Sequence, residues 1–114
     1  MIETTVKEMI EFIKAQPDDR EIRMDQNVDD GSCVGCLMVH FAREKGLKRT
    51  ECAFKEWFVI DRQNFKTTKV MKLTDGSIDT FIPQVIASEG WIPTFPISIT
   101  YGQVKEFLKK QGKL

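Results

Sequence analysis

Hydrophobic residues recur at helical spacing near both ends of the chain and in a segment that follows a polar loop. In residues 4–16 the apolar stripe follows a capping box, in which Thr5 precedes Glu8 by three positions. A second stripe predicts a helix over residues 33–45, and Gly46 is the natural residue to end it. These patterns predict two amphipathic helices in the first half of the chain.

Two further helices are predicted in the second half. Thr50 can cap a third helix, although the WFVI run within it is also typical of a strand. The apolar face of that helix would be aromatic: Phe54, Trp57 and Phe58. Thr100 and Gln103 form another capping box, which predicts a last helix that begins after Thr100.

A β-hairpin is predicted between the third and last helices. Residues 69–73 and 77–82 flank an Asp75-Gly76 pair, and Asp-Gly favours tight hairpin turns because both turn positions must tolerate positive φ. We therefore expect an α+β fold of about four helices with a small β-hairpin. At 114 residues, 1–114 is predicted to form one domain.

Charge is distributed unevenly along a chain whose formal net charge is zero. Residues 17–31 hold six acids and two Arg, and residues 43–72 hold nine Lys or Arg and four acids. Net neutrality argues against strong nonspecific nucleic-acid binding, which depends on neutralising phosphates. The two blocks leave open a dipolar surface that recognises a charged partner. No apolar run is long enough for a membrane-spanning helix, and the N-terminus lacks the pattern of a secretory signal.

All three cysteines and the only histidine lie within twenty residues of one another. On a helix over 33–45, Cys33, Cys36 and His40 would share a face beside the apolar stripe. With Cys52 they supply a Cys3His set for zinc, and the C-x-x-C spacing also suits thiol redox or nucleophilic chemistry. The third interpretation is that the cysteines pack as small hydrophobic residues beside a hydrogen-bonded histidine. We favour the third, so no metal, cofactor or catalytic residue is assigned. The odd cysteine number predicts reduced thiols and a cytoplasmic location.

Residues 12–47 resemble a pattern seen in short uncharacterised bacterial and bacteriophage proteins. In that pattern an amphipathic helix ends before a Pro, a Met/Asp pair follows, and a helix opens on roughly C-G-T-x-x-C-[IL]-A-G-[HW]-A. The matching residues are Pro17, Met24, Asp25, Cys36, Leu37, His40 and Ala42, with Gly46 closing the helix. Val39 stands where Gly is usual, Gly31 where the first Cys would be, and Cys33 at the Thr position. The resemblance implies a phage or mobile-element accessory protein and assigns no activity.

From the sequence we expect a non-enzymatic cytoplasmic accessory protein that binds another protein. Nucleic acid is an unlikely partner because there is no basic excess, and no membrane partner is expected. The alternative is a small Cys3His zinc domain that contacts nucleic acid through residues 43–72. A thiol-dependent enzyme is the second alternative.

Overall fold

A computed structural model describes residues 1–23, 25–53, 56–75, 98–112 and 114. Within these residues the helices are α1 (Val6–Ala15), α2 (Leu37–Glu44) and α3 (Tyr101–Lys110). The strands are β1 (Ile2–Thr4), β2 (Glu21–Arg23), β3 (Thr50–Ala53), β4 (Glu56–Asp61), β5 (Lys66–Leu73) and β6 (Ser98–Thr100). The chain is thus a single α+β domain.

The strands form two sheets of different size. The larger has the order β1-β5-β4-β3, with β1 parallel to β5 and the other pairs antiparallel. The smaller pairs β2 with β6 in an antiparallel arrangement. In the larger sheet β4 and β5 are the inner strands, and a register shift between Trp57 and Phe58 marks an irregularity in their pairing.

The prediction of about four helices with a small hairpin is wrong, because the part of the chain that the structure describes contains three helices and the two sheets. The predicted third helix is replaced by the antiparallel pair β3–β4, in which Cys52 lies opposite Trp57. Aromatic and β-branched residues from Trp57 to Ile60 favour a strand, since they pack well on a pleated surface. The strand-like character of WFVI was the correct signal.

The second helix also differs from its prediction, because it begins at Leu37 rather than at residue 33. Gly35 has φ of +91°, which lies in the left-handed region and interrupts a right-handed helix. Cys36 follows in an extended conformation and occupies the N-cap position. The prediction that Cys33, Cys36 and His40 lie on one face of one helix is therefore wrong.

The helices at the two ends begin as their caps predict. Thr5 accepts a hydrogen bond from the backbone N–H of Glu8 at the start of α1. The Thr100–Gln103 capping box is complete at the start of α3. These local signals need no tertiary partner, because the hydroxyl satisfies an N–H that the first helical turn leaves unpaired.

The core lies between the helices and the larger sheet. Leu37 and Phe41 are both fully buried, as the apolar stripe of the second helix predicts. The Phe41 ring lies 5.4 Å from the Phe12 ring of α1 and 6.1 Å from the Trp57 ring of β4. The Trp57 indole Nε1 donates to the Met38 carbonyl at 3.0 Å, so its polar edge is satisfied inside the core.

The hairpin predicted at Asp75-Gly76 lies largely outside the described residues. Residues 69–73 are extended as part of β5, whereas Gly76 and residues 77–82 are not described. The antiparallel partner of β5 among the described residues is β4, which precedes it in the chain. Among the described residues, no helix is both long enough and apolar enough to cross a membrane.

Candidate functional site

Cys36 and Cys52 are brought together by two different elements. Cys36 occupies the N-cap position of α2, and Cys52 lies in β3 opposite Trp57. Their Sγ atoms are 3.8 Å apart, both side chains are buried, and all three cysteines of the chain are free. The Cys52 thiol also lies 3.3 Å from the Asn27 carbonyl oxygen, which can accept its proton. The structure therefore holds a buried dithiol pair.

The two thiols of this pair have opposite electrostatic surroundings. Burial raises the pKa of the Cys36 thiol, but the hydrogen bond to Cys52 and the backbone N–H groups at the start of α2 together lower this pKa by more than burial raises it, so the net shift is downward. The pKa of the Cys52 thiol is raised, first by its hydrogen bond to Cys36 and then by burial. Cys36 is thus the favoured thiolate, and Cys52 is the favoured proton donor.

His40 takes no part in that pair. Its Nε2 lies 2.6 Å from the Val34 carbonyl oxygen, and its Nδ1 lies 2.8 Å from the Tyr101 hydroxyl. A carbonyl only accepts, so Nε2 carries the proton and Nδ1 accepts from the Tyr101 hydroxyl. Burial lowers the pKa of His40 from 6.5 to about 4. His40 is a neutral, fully satisfied link between α2 and α3.

Cys33 lies apart, on the loop that precedes α2. Its Sγ is 3.6 Å from the Val28 carbonyl oxygen and 3.6 Å from an Arg43 guanidinium nitrogen. Arg43 also makes a two-pronged salt bridge to Asp29, at 2.8 and 3.2 Å. The Arg43 hydrogen bond holds the pKa of the buried Asp29 carboxyl below its usual range. Arg43 therefore fastens this loop to α2.

The four residues of the alternative zinc site do not converge among the described residues. The group whose ligand atoms come within 4.8 Å of one another consists instead of Asp29, Asp30 and Cys33. Arg43 already holds both oxygens of Asp29, and one oxygen of Asp30 accepts the N–H of Cys33 at 2.8 Å. An ion at this loop would have to displace the guanidinium, so these contacts favour a structural role.

A different feature stands out on the surface, where the β4–β5 hairpin extends beyond the rest of its sheet. β3 pairs with β4 only as far as Val59, and β1 pairs with β5 only from Met71 onward. We call residues 60–69, which lie beyond both neighbours, the arm. All ten residues of the arm are exposed. The arm is thus a two-stranded projection with no described strand on either side.

The tip of the arm is a turn held by the side chain of Asp61. Asp61 Oδ1 accepts the backbone N–H groups of Gln63 and Asn64, at 3.0 and 3.2 Å. The Asn64 side-chain amide donates to the other Asp61 oxygen at 2.7 Å. The next residue, Phe65, has φ of +53° and is 94% exposed. The turn therefore presents a phenyl ring to solvent on a backbone conformation that L-residues disfavour.

Comparison with protein-family models, curated proteins and solved structures found no match to this chain at the significance required.

The arm was missed by the sequence reasoning, which placed the hairpin turn at Asp75-Gly76. A signal for the turn of the arm was present, since Asp61 precedes Gln63 and Asn64, and such residues form local side-chain-to-backbone turns. The threonines and lysines of residues 66–69 also suit an exposed strand. The Asp-Gly signal is stronger in general, and the turn that it predicts at Asp75-Gly76 lies largely outside the described residues.

Proposed function

We propose that the protein is a non-enzymatic binding module that acts in the cytoplasm and recognises another protein through the arm. The observation that carries the proposal is the tip residue Phe65, whose ring is 94% exposed. Aromatic residues are enriched where proteins bind one another, because they bury a large area with few rotatable bonds. The sequence resemblance to short uncharacterised bacterial and bacteriophage proteins is consistent with an accessory role.

The backbone conformation of Phe65 supports a contact role. A non-glycine residue in the left-handed region costs roughly 1 kcal/mol, and glycine or asparagine would avoid most of that cost. Phe65 gains no burial in the free protein that would offset it. Strain of this kind, retained at an exposed position, is typical of sites that contact a partner.

The charges around the arm favour a protein over a nucleic acid. Arg62 and Lys66 flank the tip, and neither forms an ion pair with a carboxylate that the structure describes. A groove of about 390 Å³ lies between residues 60–63 of the arm and residues 28–30 of the loop that precedes α2. The charged residues that line this groove include Asp30, Arg49, Glu51, Asp61 and Arg62. Carboxylates in the groove would repel a phosphate backbone, whereas a protein surface can match charges of both signs.

A photo-crosslinking amino acid at position 65 tests this proposal in the full-length protein. We expect irradiation of cells that express it to give a discrete protein adduct, because the tip would be enclosed by the partner. The matched control places the same amino acid at Lys109, which is also exposed but lies on α3. The proposal requires the adduct from position 65 and not from position 109. An adduct that nucleases remove, or the absence of any adduct, would contradict it.

Replacing Phe65 with glycine separates binding from folding. The free energy of unfolding of the purified variant is expected to equal that of the wild type or to exceed it by up to about 1 kcal/mol, because glycine adopts positive φ without strain. The same substitution should weaken binding to the crosslinked partner, once it is identified, by tenfold or more, as for an aromatic hot spot. Denaturant melts and a titration with that partner measure the two effects. Unchanged affinity would show that the ring does not contribute.

A further inference from the structure

We propose that Cys36 and Cys52 form a redox-active dithiol that hydroperoxides oxidise to an intrachain disulfide. This site is separate from the arm and does not depend on the proposed binding function. It also differs from the C-x-x-C pair that the sequence suggests, because Cys33 is not the partner of Cys36. The proposal rests on the placement of the two sulfur atoms by α2 and β3.

The distance between the sulfur atoms is the first support. At 3.8 Å the two Sγ atoms are in van der Waals contact, so a bond of about 2.05 Å requires them to approach by less than 2 Å. Cys36 caps the start of α2, where the preceding residue Gly35 adopts positive φ, and Cys52 lies in an antiparallel strand. Side-chain rotation with a small shift at the helix start can supply that approach.

The chemical roles of the two thiols differ in the way the reaction requires. Cys36 occupies the N-cap position of α2, where the positive end of the helix dipole favours a thiolate, and the thiolate is the nucleophilic form. Cys52 keeps its proton and lies within contact of Cys36. Cys33 has no thiol neighbour of this kind among the described residues, since its Sγ contacts the Val28 carbonyl and Arg43. Cys36 is therefore the attacking residue, and Cys52 resolves the intermediate.

The reaction balances with a hydroperoxide as the oxidant. The Cys36 thiolate attacks the terminal peroxide oxygen, the O–O bond breaks, and Cys36 becomes a sulfenic acid while the leaving alkoxide or hydroxide takes up a proton. The Cys52 sulfur then attacks the Cys36 sulfur. The S–O bond breaks, and the Cys52 proton leaves with the hydroxide as water. The protein loses two hydrogens in all, and the peroxide is reduced to water and an alcohol or a second water.

Burial sets which oxidants can take part. Both side chains are almost fully inaccessible, so a bulky disulfide such as that of glutathione cannot reach Cys36 without local opening. Hydrogen peroxide is close to water in size and needs a much smaller fluctuation. Partly exposed Cys33 serves as an internal control for the buried pair. An oxidant that acted only according to exposure would modify Cys33 before Cys36 or Cys52.

The test is to treat the reduced full-length protein with hydrogen peroxide and to map its cysteines by mass spectrometry. We expect an intact mass that is lower by two hydrogens, a peptide crosslink between Cys36 and Cys52, and recovery of both thiols on reduction with dithiothreitol. A Cys33→Ser variant is expected to form the same crosslink. A Cys33–Cys36 crosslink, or oxidation confined to Cys33, would overturn the proposal.

A second variant isolates the intermediate. In Cys52→Ser the sulfenic acid on Cys36 has no resolving thiol, so we expect dimedone, added together with denaturant so that it reaches the buried sulfur, to label Cys36 at least tenfold more than it labels Cys36 in the wild type. Circular dichroism of the variant confirms that it is folded before treatment. Should Cys52→Ser fail to fold, the crosslink map of the wild type and of Cys33→Ser decides the question alone. Equal labelling of Cys36 in folded Cys52→Ser and in the wild type would contradict the assigned role of Cys52.

Discussion

Replacing Phe41 with alanine is expected to lower the free energy of unfolding by about 3–5 kcal/mol. Phe41 is fully buried on α2, and its ring contacts Phe12 of α1 and Trp57 of β4 at centroid distances of 5.4 and 6.1 Å. The substitution removes the transfer free energy of a phenyl ring and leaves a cavity between the two helices and the sheet. Neighbouring aromatic rings are rigid and cannot collapse far into that space.

Urea denaturation of the wild type and of Phe41→Ala measures this loss. Phe65→Ala is the matched control, because it removes the same ring from a position that is 94% exposed, and it should change the free energy of unfolding by no more than about 0.5 kcal/mol. A loss below about 1 kcal/mol for Phe41→Ala would mean that α2 does not pack as described.

The elements that the sequence predicts well are those with local signals. Thr5 with Glu8, and Thr100 with Gln103, satisfy N–H groups within one helical turn, so the starts of α1 and α3 follow from residues three positions apart. The apolar stripe of α2 likewise identifies Leu37 and Phe41 as core residues. None of these inferences requires knowledge of which distant segment lies opposite.

The region around Trp57 could not be predicted in the same way. A short aromatic run satisfies both a helical and a strand interpretation, and the choice depends on pairing with β3 and β5. That pairing is set by the whole sheet rather than by the run itself. Once β4 is a strand, Trp57 faces inward to reach the Met38 carbonyl, and the remainder of the β4–β5 hairpin projects as the arm.

The candidate site shows the same division between local and long-range information. The predicted alignment of Cys33, Cys36 and His40 assumed an unbroken helix from residue 33, and Gly35 was the local signal against it. The pairing of Cys36 with Cys52 could not be inferred, because it depends on β3 lying beside the start of α2. Composition identified the residues that carry chemistry, and the tertiary structure decided which of them meet.

The titration of His40 alone is expected to lower the free energy of unfolding by about 3 kcal/mol when the pH is lowered from 7 to 4. Burial lowers the pKa of His40 to about 4 in the folded protein, from 6.5 for the solvated imidazole of an unfolded chain. Each unit of such a shift corresponds to about 1.4 kcal/mol. As the pH falls, the unfolded chain binds the proton before the folded protein does. The stabilisation that the neutral His40 gives the folded protein is therefore complete above pH 6.5 and is lost progressively until about pH 4.

The structural cause is the pair of hydrogen bonds at the imidazole. Protonating Nδ1 would turn it into a donor to the Tyr101 hydroxyl oxygen, so the Tyr101 hydroxyl proton would lose the acceptor that the structure describes for it, while Nε2 still donates to the Val34 carbonyl. The charged ring would also be buried near the guanidinium groups of Arg20 and Arg43, which oppose it, with Asp29 giving only a weaker opposite effect. The neutral tautomer is therefore the one that the fold stabilises.

Denaturant melts at pH values between about 7 and 4.5 test this for the wild type and for His40→Gln. The variant loses the titrating ring, and its amide can still donate to the Val34 carbonyl, so it should unfold more easily at neutral pH yet show a much flatter dependence on pH. Carboxyl groups with lowered pKa values, such as Asp29, titrate mainly below this window and are common to both proteins. The difference between the two slopes thus reports His40. Parallel slopes would mean that the imidazole is solvated in the folded state, and that the link between α2 and α3 is not buried as its hydrogen bonds to Tyr101 and Val34 require.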